Sequence, residues 1–316
     1  MKLNDFSHVE KSVDFRIGTG GWAYFQVPRM DSLVAYSKAF NFVEVNSTFY
    51  TIPSINEVTS WRKRVESDFE FSVRCHQDLT HRYNLRPIAE SYQTLNKMLL
   101  ICKTLEANVL HLQTPPTFKI TPPKVDSIRD LLSSFQFKGI RLAWEIRQKQ
   151  QWPSYLTNLM QDFNIIPCVD LSKEGEPFGT DILYSRLFGR GSHNIYQFED
   201  EELRTINNRV SEGDQKKVIL SFHSLKMFKD ATRLKIFKET GKFPSITDST
   251  GLSSLKEVLS EDAKFPSTKE ELIKHQGWKV FDLTSIERIH AHKILDKLPE
   301  RNYSNLDEVL QELQKY

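Results

Sequence analysis

Apolar and polar residues alternate in eight short runs: DFRIG (14–18), NFVEVN (41–46), FEFSVRC (69–75), ANVLHLQ (107–113), IRLAWEI (140–146), NIIPCVD (164–170), ILYSRLF (182–188) and KVILSF (217–222). A period of two marks a strand, whose successive side chains face opposite ways. Between most of these runs the period lengthens to that of a helix: 30–40, 54–65, 89–106, 122–135, 152–163, 199–210 and 227–241. Ser54 with Glu57 reads as a capping box, and Gly241 as the glycine that closes the last of these helices. Eight strands, each followed by a helix except the sixth, predict an α/β fold, a TIM-like (β/α)8 barrel. An open doubly wound sheet is the competing arrangement, but GTGGW after the first strand lacks the GxGxxG phosphate fingerprint.

After Gly241 the rhythm changes. FPSITDSTG (243–251) is rich in turn residues, and only helical patterns follow, at 253–260, 267–275, 284–298 and 304–314, with Ser267 and Glu270 as a second capping box. The expected organisation is a barrel over residues 1–243 and a small all-α appendage over 244–316.

FVEVNSTFY (42–50) raises the chemical question. Val43 and Val45 share one face of the strand, and Glu44 and Asn46 the other. The apolar face must meet the helices, so the polar face points into the barrel lumen. The same rule sends Arg16, Ser72, Arg74, His76, His111, Gln113, Arg141, Glu145, Arg147, Asp170, Tyr184, Arg186, Ser221 and His223 inward. An ordinary lumen is layered with Val, Ile and Leu, and an unpaired buried charge is costly. These groups must therefore pair with each other or face a wet pocket, and most lie at the strand C-terminal ends, where barrel active sites sit. Five arginines (16, 74, 141, 147, 186) against Glu44, Glu145 and Asp170 imply an anionic ligand. Trp22, Tyr24, Tyr50 and His81 on the mouth loops add surfaces on which a base or sugar can stack.

The 316 residues carry 39% hydrophobic and 27% charged residues, as a water-soluble globular chain does, and a net charge of +2. Residues 1–243 hold 33 Lys and Arg against 28 Asp and Glu, residues 244–316 hold 10 against 13, so a mildly basic body carries a mildly acidic tail. Cys75, Cys102 and Cys168 have no metal-type spacing and read as reduced core thiols. MKLNDFSHVEKSV has no apolar secretory core and no run approaches a membrane span, so a cytoplasmic location away from membranes is expected.

IGTGGWAY (17–24), FVEVNSTFY followed by Pro53, FSVRCHQDLTH (71–81), LQTPPTF (112–118), AWEIRQKQQW (143–152), the strand ending at Asp170 and YSRLFG (184–189) together resemble the domain of unknown function 72 (YecE-like) family. The resemblance implies a TIM-like barrel and leaves the activity open. This chain departs from the family pattern at Gln148 and Phe188, where the family tends to have histidine, and at His223–Ser224, where it often has two asparagines. The C-terminal part, residues 262–313, resembles domain of unknown function 2795 through FPSTKEELIKH and LDKLPERNYSNLDEVLQEL.

The leading expectation is an enzyme, a hydrolase or lyase acting on a phosphate-bearing substrate, with DNA or RNA favoured. Glu44, Glu145, Asp170 and His223 are its acid–base candidates and the candidate ligands of a divalent metal. Asn46, Tyr50, Arg74, His76, His81, Gln113, Arg147, Arg186, Trp22 and Tyr24 are its substrate contacts. A sugar or sugar-phosphate isomerase or lyase is the second reading. A non-catalytic scaffold, with a protein partner bound through the helical appendage, is the third.

Overall fold

A computed structural model describes residues 13–147, 152–176 and 178–316; residues 1–12 and Gln148, read from sequence above, lie outside the described residues. Eight parallel strands close into a barrel in chain order, with the last paired back to the first. They are β1 (Asp14–Thr19), β2 (Phe42–Val45), β3 (Glu70–Arg74), β4 (Val109–Thr114), β5 (Arg141–Ile146), β6 (Ile166–Val169), β7 (Ile182–Leu187) and β8 (Lys217–Phe222). The outer layer is α1 (Ser32–Ala39), α2 (Ile55–Lys63), α3 (Ala89–Leu105), α4 (Pro122–Ser133), α5 (Ser154–Asp162), α6 (Asp200–Ser211) and α7 (Met227–Thr240). Among the described residues no helix lies between β6 and β7, in keeping with the sequence pattern. The large core lies between strands and helices and holds Val43, Val45, Phe71, Val73, Leu110, Leu112, Trp144, Leu220 and Phe222. A second, small apolar cluster fills the lower lumen with Phe42, Val109, Ala143, Ile166, Cys168, Tyr184 and Ile219. The polar set stands above it, because side chains two residues further along each strand share the inner face.

Two of the inward arginines sit elsewhere. Arg16 pairs with Asp14 and Glu70 at 3.0 and 3.1 Å, and Arg141 with Asp181 at 3.0 Å. Both lie in the N-terminal half of their strands, so they close the N-terminal end of the barrel and leave the mouth to Arg74, Arg147 and Arg186. The excess of five arginines over three carboxylates is thus not a property of one site.

The tail carries the expected helices α8 (Gly251–Ser260), α9 (Lys269–Gln276), α10 (His292–Leu295) and α11 (Leu306–Leu313). It also holds four short strands: β9 (Ser267–Thr268) pairs with β12 (Asn302–Tyr303), and β10 (Val280–Asp282) with β11 (Arg288–His290). The helical pattern over 284–298 is interrupted because the Thr284 hydroxyl accepts from the Ile286 and Glu287 amides. That turn folds the chain back on β10, and only its last part becomes α10. The cap of α9 falls one residue later than its sequence pattern predicts, with Thr268 and Glu271 exchanging the two bonds. Leu255, Leu259, Phe281, Leu295, Tyr303 and Val309 give this region a core of its own.

Gly18 is held by close approach. A methyl there would meet the Phe42 carbonyl oxygen across the β1–β2 pairing and the Tyr36 hydroxyl, which donates to that same carbonyl at 2.9 Å. Gly18→Ala is expected to lower stability by about 3 kcal/mol. Gly175→Ala, which meets nothing within 4 Å, should change it by less than about 0.5 kcal/mol. Urea unfolding of the two variants checks the pair. Because the tail has a separate core, a chain of residues 1–243 is expected to stay soluble and to unfold cooperatively; an aggregated or molten product would contradict the proposed boundary.

Candidate active site

Glu44, at the middle of β2, is wholly buried. Its Oε2 accepts from the Tyr184 hydroxyl at 2.7 Å, and its Oε1 lies 3.0 Å from Nη2 of Arg186. Arg186 Nη1 reaches Glu145 Oε2 at 2.5 Å, so one guanidinium on β7 bridges carboxylates from β2 and β5. His223 stands beside it: Arg186 Nε donates to its Nε2 at 3.2 Å, and Ser221 Oγ lies 3.0 Å from the same atom. His111 lies below, parallel to the Tyr184 ring at 5.9 Å and 3.3 Å from Glu145 Oε2. The strand period and barrel closure bring these groups together without any loop.

The charges follow from that geometry. Burial acts to raise the Glu44 carboxyl, but Arg186 above all, with His223, His111 and Arg74, holds it down to about 2. Burial opposes ionisation of Glu145 too, and Arg186, His111 and Arg147 keep it well below the ordinary carboxylate value. Burial, then the positive field of Arg186, pushes His223 well below 6.5 and His111 below it, against the pull of Glu44 and Glu145. Both imidazoles are therefore neutral near pH 7.

Arg74 is the exception among these cations. It sits buried over the Phe49 ring at 3.7 Å, donates to Asn46 Oδ1 at 2.6 Å and contacts Gln113 Oε1. Gln113 in turn donates to Glu145 at 3.3 Å. Among the described residues no carboxylate lies within ion-pair distance of Arg74. Burial and the like charge of Arg186 press its pKa below the usual arginine value, yet it stays protonated at neutral pH.

Above this layer opens a cleft of about 1070 Å³. Arg74, Asn46, Arg147, Arg186 and His223 form its floor; Trp22, Tyr24, Tyr50, Trp61, Phe188, His193 and Asn194 contribute to its walls. Tyr24 and Tyr50 stand 84% and 63% exposed at the rim. Arg147 donates from Nε to Glu145 Oε1 at 2.8 Å and keeps the rest of its guanidinium toward the cleft.

Three of the sequence candidates lie apart. Asp170 turns toward its own loop, accepting from Ser172 N and Oγ and from Phe188 N, and pairing with Lys173 at 3.1 Å. It follows directly on β6, whose last inward residue is Cys168, and its carboxylate orders the β6–β7 connection. His76 accepts from the Asp78 amide at 3.3 Å in the turn after β3. His81 is exposed, bonded to Thr80 and edge-on to Phe49 at 5.1 Å.

The four metal candidates consequently form no coordination sphere: Asp170 is absent from the cluster, and Arg186 already occupies the space between Glu44 and Glu145. Donor atoms of His111, Glu145 and Cys168 do lie within 4.8 Å of one another. The Glu145 oxygen there is held by Arg186, and burial pushes the Cys168 thiol well above its usual value, so this trio fits a neutral, packed lumen better than a divalent cation.

Sequence reasoning missed Gly20, Phe188, His193 and Asn194. Phe188 stacks on His223 at 5.0 Å, and a methyl on Gly20 would overlap the His223 ring. Phe188 adjoins an inward arginine at a strand end, the one signal that could have found it; the others lie on loops with no period to read.

The sequence matches the family described as "Protein of unknown function DUF72" over residues 16–240. The UPF0759 protein YecE of Escherichia coli K12 is 33% identical over 72 residues, which are 22% of this chain and 26% of that protein, so the match spans about a quarter of the curated relative. A DUF72 family protein of Thermotoga maritima MSB8 superposes with a TM-score of 0.58 at 21% identity, covering 72% of this chain and 99% of that one. One from Enterococcus faecalis V583 gives 0.57 at 17%, covering 73% and 99%. These structures share the barrel fold. With about seven tenths of its length matched in one continuous span, the chain belongs to the DUF72 family of proteins of unknown function.

Proposed function

We propose that the cleft binds a phosphate-bearing substrate, single-stranded nucleic acid before a small metabolite, and that the protein is a hydrolase with His223 as its proton-transfer group. The observation that carries this reading is Arg74: a buried cation whose partners among the described residues are neutral amides, on the floor of an open cleft. A phosphate oxygen would restore the charge balance that Asn46 and Gln113 cannot. Arg147 supplies a second contact. Tyr24 and Tyr50, exposed at the rim, are platforms on which bases stack whatever their sequence. Arg186 is consumed by Glu44 and Glu145 and acts by fixing His223 rather than by meeting substrate.

The test is fluorescence anisotropy with single-stranded oligonucleotides of increasing length at two salt concentrations. Affinity should rise with length and fall steeply with salt. Arg74→Ala should weaken binding by about 5- to 150-fold, the equivalent of about 1–3 kcal/mol for one charged contact. Should wild type bind no oligonucleotide, while a sugar phosphate binds and loses affinity in Arg74→Ala, the small-molecule reading replaces this one. Where hydrolysis is measured, the acid limb of the rate is expected below pH 6.5. The neutral imidazole is the working form, and its pKa is held under that value. A limb at or above pH 6.5 would remove His223 from the role.

A further inference from the structure

The wall of the cleft opposite Arg74 is the loop between β7 and α6, residues 188–199. Phe188 seats it on the floor, with its ring on His223 at 5.0 Å and within 5.1 Å of the Arg186 guanidinium, while the Asn194 carbonyl accepts from the Leu225 amide at 2.8 Å and Arg233 donates to the Phe198 carbonyl at 2.6 Å. The next residue, Gly189, has φ +73°, and a methyl there would overlap the Tyr196 ring, so Tyr196 is packed directly behind the Phe188 backbone. On its other side Tyr196 meets His290 at 5.2 Å. His290 belongs to β11 of the C-terminal region.

The hold on this loop from the tail is built from buried polar groups. His290 Nε2 donates to the Gln197 carbonyl at 2.7 Å, and the His290 amide donates to Glu199 at 2.8 Å. The Val280 amide donates to Gln197 Oε1 at 2.9 Å. Arg288 bridges Asp200 and Asp282 at 2.9 and 2.8 Å, and Lys293 pairs with Glu199 at 2.7 Å. Gln197, Asp282, Arg288 and His290 are all buried. The tail thus grips residues 196–200, immediately after the segment that lines the cleft.

We propose that the C-terminal region is a structural part of the active site: through His290 and Tyr196 it braces the 188–199 wall and keeps Phe188 seated on His223. Tyr196 is then a positioning residue, in contact with neither His223 nor the cleft floor. The inference does not depend on which ligand the cleft takes.

His223 itself supplies the readout. The charged groups facing it are Arg186 on β7, Glu44 on β2, Glu145 on β5 and Arg74 on β3, with Ser221 on β8. Burial is the largest cause of its lowered pKa, and Phe188 is the lid that maintains the burial. Imidazole resonances of the full chain are followed through a pH titration in wild type, Tyr196→Leu, His290→Ala and Tyr196→Phe. Tyr196→Leu and His290→Ala are each expected to move the His223 titration upward, toward 6.5, because water reaches the ring. Tyr196→Phe keeps the ring and should titrate as wild type. Leu313→Ala, which loosens the tail core at α11, should lower the melting temperature and leave His223 unmoved. The two loosening variants are read independently, so one that fails to fold leaves the other informative. An unchanged His223 titration in a folded Tyr196→Leu or His290→Ala protein would overturn the proposal, as would an equal shift in Leu313→Ala.

Discussion

One guanidinium holds this barrel's mouth together. Arg186 is almost fully buried and neutralises Glu44 and Glu145, two carboxylates that burial would otherwise protonate. Because both acids stay ionised, their field in turn keeps Arg186 charged. Burial first, and then the charge of Arg186, keeps His111 and His223 neutral. One guanidinium thus acts on four other titratable groups. Replacing such a network with apolar side chains is often neutral for stability, whereas breaking it is not. Its presence in a lumen that could have been filled with Val and Leu is the reason to regard this layer as chemistry rather than packing.

The strand pattern carried most of this. Alternation placed Glu44, Gln113, Glu145, Arg186 and His223 on the inner face, and the structure brings them into one cluster. Where the pattern misled, height along the strand was the cause. Arg16 and Arg141 share the inward phase of Arg74 and Arg147, but they lie in the N-terminal half of their strands and meet Asp14, Glu70 and Asp181 at the opposite end. Phase tells which face a residue occupies and says little about its layer. Asp170 failed for a related reason: it stands one residue past β6, where the backbone turns and its carboxylate finds amides of its own loop. In the tail, turn chemistry at Thr284 overrode a helical period that is clear in the sequence.

At Phe188 the chain departs from the pattern of the family it resembles, which tends to have histidine there, and the Phe188 ring lies on His223. The Arg186 guanidinium lies 5.1 Å from that ring and donates to His223. Gly20 completes the seat by leaving room for the His223 ring. The floor is thus set by strand residues and the residues directly after them, while its walls come from loops.

Stability as a function of pH in Arg186→Met tests the central claim most directly. In wild type the two carboxyls are depressed, so their contribution is present above the ordinary carboxyl value of 4.5 and is lost only as pH falls toward about 2. Without the guanidinium, burial dominates and the folded-state values rise above 4.5. The deficit should then be about 3–5 kcal/mol near neutral pH and should shrink as pH falls toward 4.5, where both acids protonate. A deficit that is the same at both ends of that range, or absent throughout, would contradict the account.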